Sequence, residues 1–153
     1  MKSIERIVST QAKLGNKIYI FVYTIGKEEI FIWLAKLFDT KIVVDEKKMK
    51  QIKICDWEPQ LFTSEPDESS FLFVWNCTEL GNPELLSKLD PENDTILVLT
   101  AWKNKYRSTF KNFFWAGYSS HSNASEIEAF IKSICPKKIT FHSHSDTPTA
   151  VEF

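Results

Sequence analysis

Three residues of metal-binding type alternate near the C-terminal end of the sequence, in the stretch PKKITFHSHSD of residues 136–146. His142, His144 and Asp146 form an H-x-H-x-D pattern, and alternate residues of an extended segment point to the same side. Imidazole and carboxylate groups suit zinc or a similar divalent ion. Three ligands leave such a site incomplete, because the tail that follows supplies only one further carboxylate, Glu152. An exposed, polar C-terminal loop is the alternative interpretation.

A second candidate site is the stretch Thr24–Glu28, TIGKE, which follows the apolar run KIYIFVY. Gly26 lets backbone N–H groups approach a ligand closely, the N-terminus of a following helix favours an anion, and Lys27 adds a positive charge. These features are typical of a phosphate-binding turn, although the G-x-x-x-x-G-K pattern of a P-loop is absent. The alternative is a plain tight turn in which Glu28 and Glu29 complement the helix dipole.

A third candidate is the stretch YSSHS of residues 118–122, which lies between an aromatic run and an apolar helical pattern. His121 stands there beside three serine hydroxyls, and an imidazole in such a turn can donate to a phosphate or act as a general acid. Helix N-capping by a serine, with His121 as a bystander, is the alternative.

The elements that must position these residues follow from apolar periodicity, which predicts an α/β protein. Helices are expected over residues 3–13, 28–38, 45–54 and 82–89, and over a stretch that ends at Pro136. Strands are expected at KIYIFVY, KIVV, FLFVW, TILVLTAW, RSTFKNFFWAGY and KKITF, and residues 55–70 are expected to be mostly loop. The strand-helix-strand order predicts parallel neighbours joined by right-handed crossovers, beginning with KIYIFVY and KIVV.

Composition limits the class of protein. The 153 residues are one ordinary domain, and a formal charge of −1 gives no overall field that would collect nucleic acid, so any such contact must come from a local patch. Cys55, Cys77 and Cys135 are odd in number and lack C-x-x-C spacing, which argues against a disulfide framework and a zinc ribbon. No apolar leader or membrane-length run is present, so an intracellular protein is expected.

Taken together, the blocks YTIGKEEIFIWLAKLFDTKIVVDEKKMKQIKIC, FTSEPDESSFLFVW, LVLTAW and GYSSHSNASEIEAFIKSICPKKI resemble one family in their order. The chain is similar to the C-terminal half of the DNA cross-link repair nucleases that include Apollo and Artemis, from about Ile7 to Ser145. The resemblance implies an α/β fold with a β-CASP-type parallel sheet flanked by helices, together with the closing strands of a metallo-β-lactamase αββα sandwich.

The resemblance also implies roles for individual residues. Glu28 falls on the motif A acid and His121 on the motif B histidine, which are the two catalytic positions. Positions expected to bind phosphate lie beside them: Thr24, Gly26, Lys27, Ser119 and Ser122. Family members cleave DNA with zinc or another divalent metal, which activates water and stabilises the charge that develops on phosphorus.

The departures from the family pattern limit what we expect of this chain. The metal-binding H-x-H-x-D-H motif belongs to the half that would precede Met1, so the chain is expected to be a single C-terminal region, residues 1–153, that binds no metal by itself. HSHSD occupies the motif C strand end instead, where RNA-processing relatives place a metal-contacting histidine. His142 or His144 could therefore approach a metal if the other half were supplied. Leu99 and Ala101 stand where the family prefers Pro and Gly.

Two functional hypotheses follow. The first is the C-terminal part of a 5′–3′ exonuclease that acts on 5′-phosphorylated DNA in interstrand cross-link or end repair, is nuclear, and needs a complementing N-terminal half for activity. The alternative is a non-catalytic module that binds DNA ends or a protein partner. Its expected binding loop carries four positive charges, enough for salt-sensitive phosphate binding, although a solvated hairpin has the same composition: Lys103, Lys105, Tyr106, Arg107 and Lys111.

Overall fold

A computed structural model describes residues 1–100, 109–118, 122, 124–141 and 149–152. The chain folds into two units, Met1–Ser120 and His121–Phe153, which are described one at a time. Among the helices in the described ranges, none is long and apolar enough to cross a membrane.

The first unit alternates helices and strands, as the periodicity predicts. Its elements in chain order are α1 (Lys2–Lys13), β1 (Ile18–Val22), α2 (Glu28–Phe38), β2 (Ile42–Val43), α3 (Glu46–Ile54), β3 (Phe62–Thr63), β4 (Leu72–Asn76), α4 (Pro83–Leu86), β5 (Thr95–Leu99) and β6 (Asn112–Ala116), with short 3₁₀ helices at Pro59–Leu61 and Cys77–Gly81. The helix expected over residues 82–89 is shorter than expected and ends at Leu86. The expected loop of residues 55–70 contains the short strand β3.

All six strands are parallel and lie in the order β3-β2-β4-β1-β5-β6. The protein is therefore an α/β protein with a parallel sheet flanked by helices, as expected. This architecture is consistent with a partial metallo-β-lactamase/β-CASP fold. The expectation that β1 and β2 are neighbours is wrong, because β4 lies between them. β2 has only two residues, and it pairs with β3 and β4. β4 pairs with β1 at every position, from Ile18 with Leu72 to Val22 with Asn76.

The core lies on both faces of this sheet, since all five residues of β1 are buried. Ile18, Ile20 and Val22 pack with the apolar sides of α1, α2 and α3. Tyr19 and Phe21 point to the other face, where Tyr19 stacks on Phe73 with 4.9 Å between ring centroids. Because all strands are parallel, the turns after β1, β2 and β4 lie at the same carboxyl edge, where α2 and α3 begin.

The second unit contains one helix and a two-stranded antiparallel sheet. α5 spans Ala124–Ile134, and β7 (Lys138–Phe141) pairs with β8 (Thr149–Glu152). The apolar stripe predicted on α5 includes Ile127, Phe130 and Ile134, which are 43%, 62% and 53% exposed. The alternative interpretation of the C-terminal end as a polar loop is wrong for Thr149–Glu152, which form β8, whereas His142, His144 and Asp146 lie outside the described residues. The pairing of β8 satisfies backbone groups of β7 that a loop would leave open.

Candidate functional site

The turn from Thr24 to Lys27 connects β1 to α2 at the carboxyl edge of the sheet. Gly26 adopts a φ of 103°, a conformation that side-chain-bearing residues rarely adopt, so glycine is required where the chain reverses into the helix. The backbone N–H of Gly26 donates to Oε2 of Glu28 at 2.9 Å. The hydroxyl of Thr24 accepts a hydrogen bond of 2.8 Å from Nδ2 of Asn76, at the end of β4. The turn is thus anchored to the neighbouring strand and to the helix that follows.

Glu28 is the first residue of α2, and the residue is 8% exposed. Oε1 accepts a hydrogen bond from Nζ of Lys48 at 2.5 Å, in addition to the Gly26 contact on Oε2. Burial acts to raise the pKa of Glu28, but the hydrogen bonds from Lys48 and from the backbone N–H groups of Glu28 and Gly26 outweigh it, so the pKa is lowered. The carboxylate is therefore ionised at neutral pH and can accept hydrogen bonds, but cannot act as a general acid.

Lys48 is a residue of this site that sequence reasoning missed. It lies on α3, is 9% exposed, and its Nζ also donates to the carbonyl oxygen of Thr24 at 2.7 Å. The ammonium lies 5.9 Å from the ring centroid of Trp57. Spacing along α3 was the available signal for this burial. Lys48 lies four residues before the fully buried Ile52, so the two residues share one side of the helix. The many charges of α3 suggest the opposite, namely exposure to solvent.

Lys27 forms the other side of the turn as the N-cap residue of α2, and it is 7% exposed. Its Nζ donates to the carbonyl oxygen of Tyr118 over a long 3.4 Å and lies 5.1 Å from the centroid of that ring. Burial lowers the pKa of Lys27, against the opposing effect of Cys77, Tyr23 and Glu28. Within the described residues its ammonium forms no ion pair, so N–H donors remain available to a ligand.

The electrostatic character of the site follows from these three side chains. Across the part of the chain that the structure describes, Lys27, Glu28 and Lys48 are the buried charged residues, and all three lie at this edge. Glu28 neutralises Lys48, whereas the ammonium of Lys27 forms no ion pair with any described residue. Buried charges are costly unless paired, so an uncompensated ammonium beside a glycine turn and a helix N-terminus favours an anionic ligand.

The structure does not bring every predicted site residue to this edge. Lys111 directly precedes β6, so it lies at the amino edge of the sheet, where it pairs with Glu92 at 3.3 Å and both side chains are about 70% exposed. Ser122 is exposed and belongs to the second unit. The remaining predicted residues lie outside the described residues, and their roles stay predictions: His121, Ser119, Lys103, Lys105, Tyr106, Arg107, His142, His144 and Asp146.

The divalent metal implied by the resemblance does not fit the described side chains. Over residues 1–100, 109–118, 122, 124–141 and 149–152 no three His, Cys, Asp or Glu side chains are grouped so that they could hold a metal ion. The oxygens of Glu28 are occupied by the Lys48 ammonium and the Gly26 N–H. We therefore derive no reaction step through a metal from this part of the chain.

Comparison with known proteins adds an independent line of observation. No family model matches the chain. It is 29% identical to DNA ligase 6 of Arabidopsis thaliana, over 90% of this chain and 12% of that protein. It is 28% identical to the 5′ exonuclease Apollo of Gallus gallus, over 79% of this chain and 26% of that protein. It is 26% identical to the 5′ exonuclease Apollo of Mus musculus, over 81% of this chain and 22% of that protein.

The chain thus spans between about an eighth and a quarter of the length of these relatives. The matches cover 79–90% of the present chain at identities of 25–29%. Homologues of this chain include DNA ligase 6 and the Apollo 5′ exonucleases, which confirms the resemblance to the Apollo and Artemis type of nuclease.

Proposed function

We propose that this chain is the C-terminal, β-CASP-containing part of a DNA repair 5′–3′ exonuclease, and that its turn from Thr24 to Glu28 binds a 5′-phosphate of DNA. The observation that carries the proposal is the buried ammonium of Lys27, which forms no ion pair with a described residue and stands beside Gly26 at the N-terminus of α2. The names of the relatives, a 5′ exonuclease and a DNA ligase, support DNA as the partner.

Each residue of the turn has a separate task in this proposal. Lys27 donates hydrogen bonds to the phosphate and supplies the balancing charge. Glu28 stays ionised and, through its bonds to Gly26 and Lys48, holds the turn in the conformation in which Lys27 is the N-cap residue of α2. His121, which falls on the motif B histidine of the family, would give a proton to the leaving oxygen, with Ser119 and Ser122 beside it.

We further propose that cleavage needs a complementing metal-binding half and that this chain alone does not cut DNA. Action on cross-linked DNA and a nuclear location belong to the same proposal, because both follow from the family that the chain resembles. The alternative is a non-catalytic module that binds DNA ends or a protein partner through the basic and aromatic loop from Lys103 to Lys111, most of which lies outside the described residues.

The first experiment measures binding by fluorescence anisotropy, with a labelled single-stranded oligonucleotide that carries either a 5′-phosphate or a 5′-hydroxyl. The purified chain is expected to prefer the phosphate. Lys27→Met should weaken binding of the phosphorylated DNA about tenfold or more, since a hydrogen bond to a charged group contributes about 1.5–3 kcal/mol. Lys50→Met, an exposed lysine on α3, is the matched control. Equal binding of both oligonucleotides would contradict the proposal.

The second experiment separates a nuclease part from a binding module. Labelled 5′-phosphorylated DNA is incubated with the chain and divalent metal, alone and together with the metal-binding half of an Apollo relative. Cleavage only in the mixture, lost with His121→Ala, is the expected result. Phosphate-dependent binding without cleavage in either sample would favour the module.

A further inference from the structure

A cavity of about 250 Å³ lies beside the phosphate-binding turn, at the carboxyl edge of the sheet. From β2 the chain continues towards β3 at one edge of the sheet, and from the adjacent β4 it crosses the other way towards β5. Connections that diverge in this manner leave a crevice outside the strand ends, which is where open α/β sheets bind their ligands. The cavity lies at this crevice, where Asp45 follows β2 and Asn76 ends β4, and the end of β1 and the first turns of α3 also line it.

The charges around the cavity do not favour a second phosphate. Asp45 and Glu79 line it together with Lys47 and Lys48, but the ammonium of Lys48 is already neutralised by Glu28. The lining therefore has no excess positive charge. The volume is also far larger than an ordered water molecule requires. An uncharged polar group of ring size fits these properties better than an anion.

The uncharged side chains of the lining define the chemistry of that group. Thr24, Gln51, Asn76 and Thr78 contribute two hydroxyls and two carboxamides. Asn76 donates to the hydroxyl of Thr24 and accepts from that of Thr78, so the carboxamide of Gln51 is the group of this set best placed both to donate to a ligand and to accept from it. Carboxamides and hydroxyls are the side-chain groups that pair with the edges of nucleobases. Val22 and Val74 add apolar surface for the face of a ring.

The cavity and the turn share one residue, which links their ligands. Thr24 lines the cavity, and it belongs to the turn whose Lys27 is proposed to bind phosphate. We propose that the cavity receives the nucleobase of the nucleotide whose 5′-phosphate binds at this turn. This inference rests on the proposed function and assigns the cavity as a subsite for the terminal base of the DNA.

The test compares two 5′-phosphorylated single-stranded oligonucleotides that differ only in whether the 5′-terminal nucleotide carries a base or is abasic. The unaltered chain should bind the base-bearing DNA about tenfold more tightly, which is within the range for one well-paired base. Gln51→Ala should remove this difference while leaving the preference for a 5′-phosphate. Gln60→Ala, an exposed glutamine outside the cavity, is the matched control and should behave like the unaltered chain.

The outcomes separate this inference from the proposed function. Phosphate-dependent binding with equal affinity for both oligonucleotides overturns the base subsite and leaves the phosphate turn intact. A base preference that survives in Gln51→Ala places the base elsewhere and overturns the assignment of the cavity. Failure to bind either oligonucleotide, or indifference to the 5′-phosphate, overturns both proposals.

Discussion

The ion pair between Glu28 and Lys48 offers the sharpest test of how the site is built. The two side chains are 10% and 11% exposed, and Lys48 Nζ holds both the carboxylate and the Thr24 carbonyl. Lys48→Met keeps the length of the side chain but leaves Glu28 as a buried carboxylate held by backbone N–H groups alone. Removing one partner of a buried ion pair costs about 3–5 kcal/mol. We expect a loss of this size in the free energy of unfolding at pH 7.

A double variant separates the charge from the loss of packing. In Lys48→Met/Glu28→Gln no buried charge remains at these two positions, and the glutamine oxygen can still accept from Gly26. The loss should be smaller than the sum of the two single losses, with a coupling energy of about 1–3 kcal/mol. The assay is urea-induced unfolding followed by tryptophan fluorescence. Lys50→Met, an exposed change on the same helix, should stay within about 0.5 kcal/mol of the unaltered chain.

The pH dependence of these variants has a definite sign. Burial acts to raise the pKa of Glu28, but the hydrogen bonds from Lys48 and the backbone outweigh it, so the pKa in the folded chain is lowered. The ionised carboxylate therefore stabilises the folded chain above the pKa of the unfolded state, and this stabilisation is lost as pH falls through the lowered pKa of the folded state. In Lys48→Met burial should dominate and raise that pKa, so the variant is destabilised as pH rises. The difference in the free energy of unfolding between the unaltered chain and Lys48→Met should be largest near pH 7 and should decrease towards about pH 4. A gap that does not change with pH, or a loss below about 1 kcal/mol, would refute the reasoning.

Two further predictions concern the turn and the sheet. Gly26→Ala should lower the free energy of unfolding by about 1–2 kcal/mol, because φ is 103° there; Gly81→Ala, where an added methyl meets no atom within 4 Å, is the control in thermal melts. Burial, and then the charge of Asp94, raise the pKa of Tyr19 to about 12. Its contribution to stability should therefore be complete below about pH 10 and lost as pH rises through 12. An absorbance titration should contain a late phenolate step that Tyr19→Phe removes, and its persistence in that variant would contradict the assignment.

Local sequence was sufficient for the elements and for part of the site. Apolar periodicity predicted α2 with its observed ends, Glu28 and Phe38, and the glycine turn before it. The place of β4 between β1 and β2 could not be predicted, since pairing partners in a parallel sheet are decided by strand length and by what else is available, not by neighbours in sequence. Lys48 was missed because a lysine in a charged helix is usually solvated, and only the packing of α3 against the sheet reveals its burial.

β4 follows β2 and β3 in the sequence but lies between β1 and β2 in the sheet, and this has a consequence for folding. The centre of the sheet pairs Ile18 with Leu72, so its main contacts join segments that are far apart in sequence. Such contacts require a long loop to close before they stabilise anything, which slows folding. Without β4, β1 lacks a partner on that side, and β2 is separated from the rest of the sheet. A nascent or truncated chain that ends before Leu72 is therefore expected to remain open, and the Lys48–Glu28 pair to form only once the whole sheet has closed.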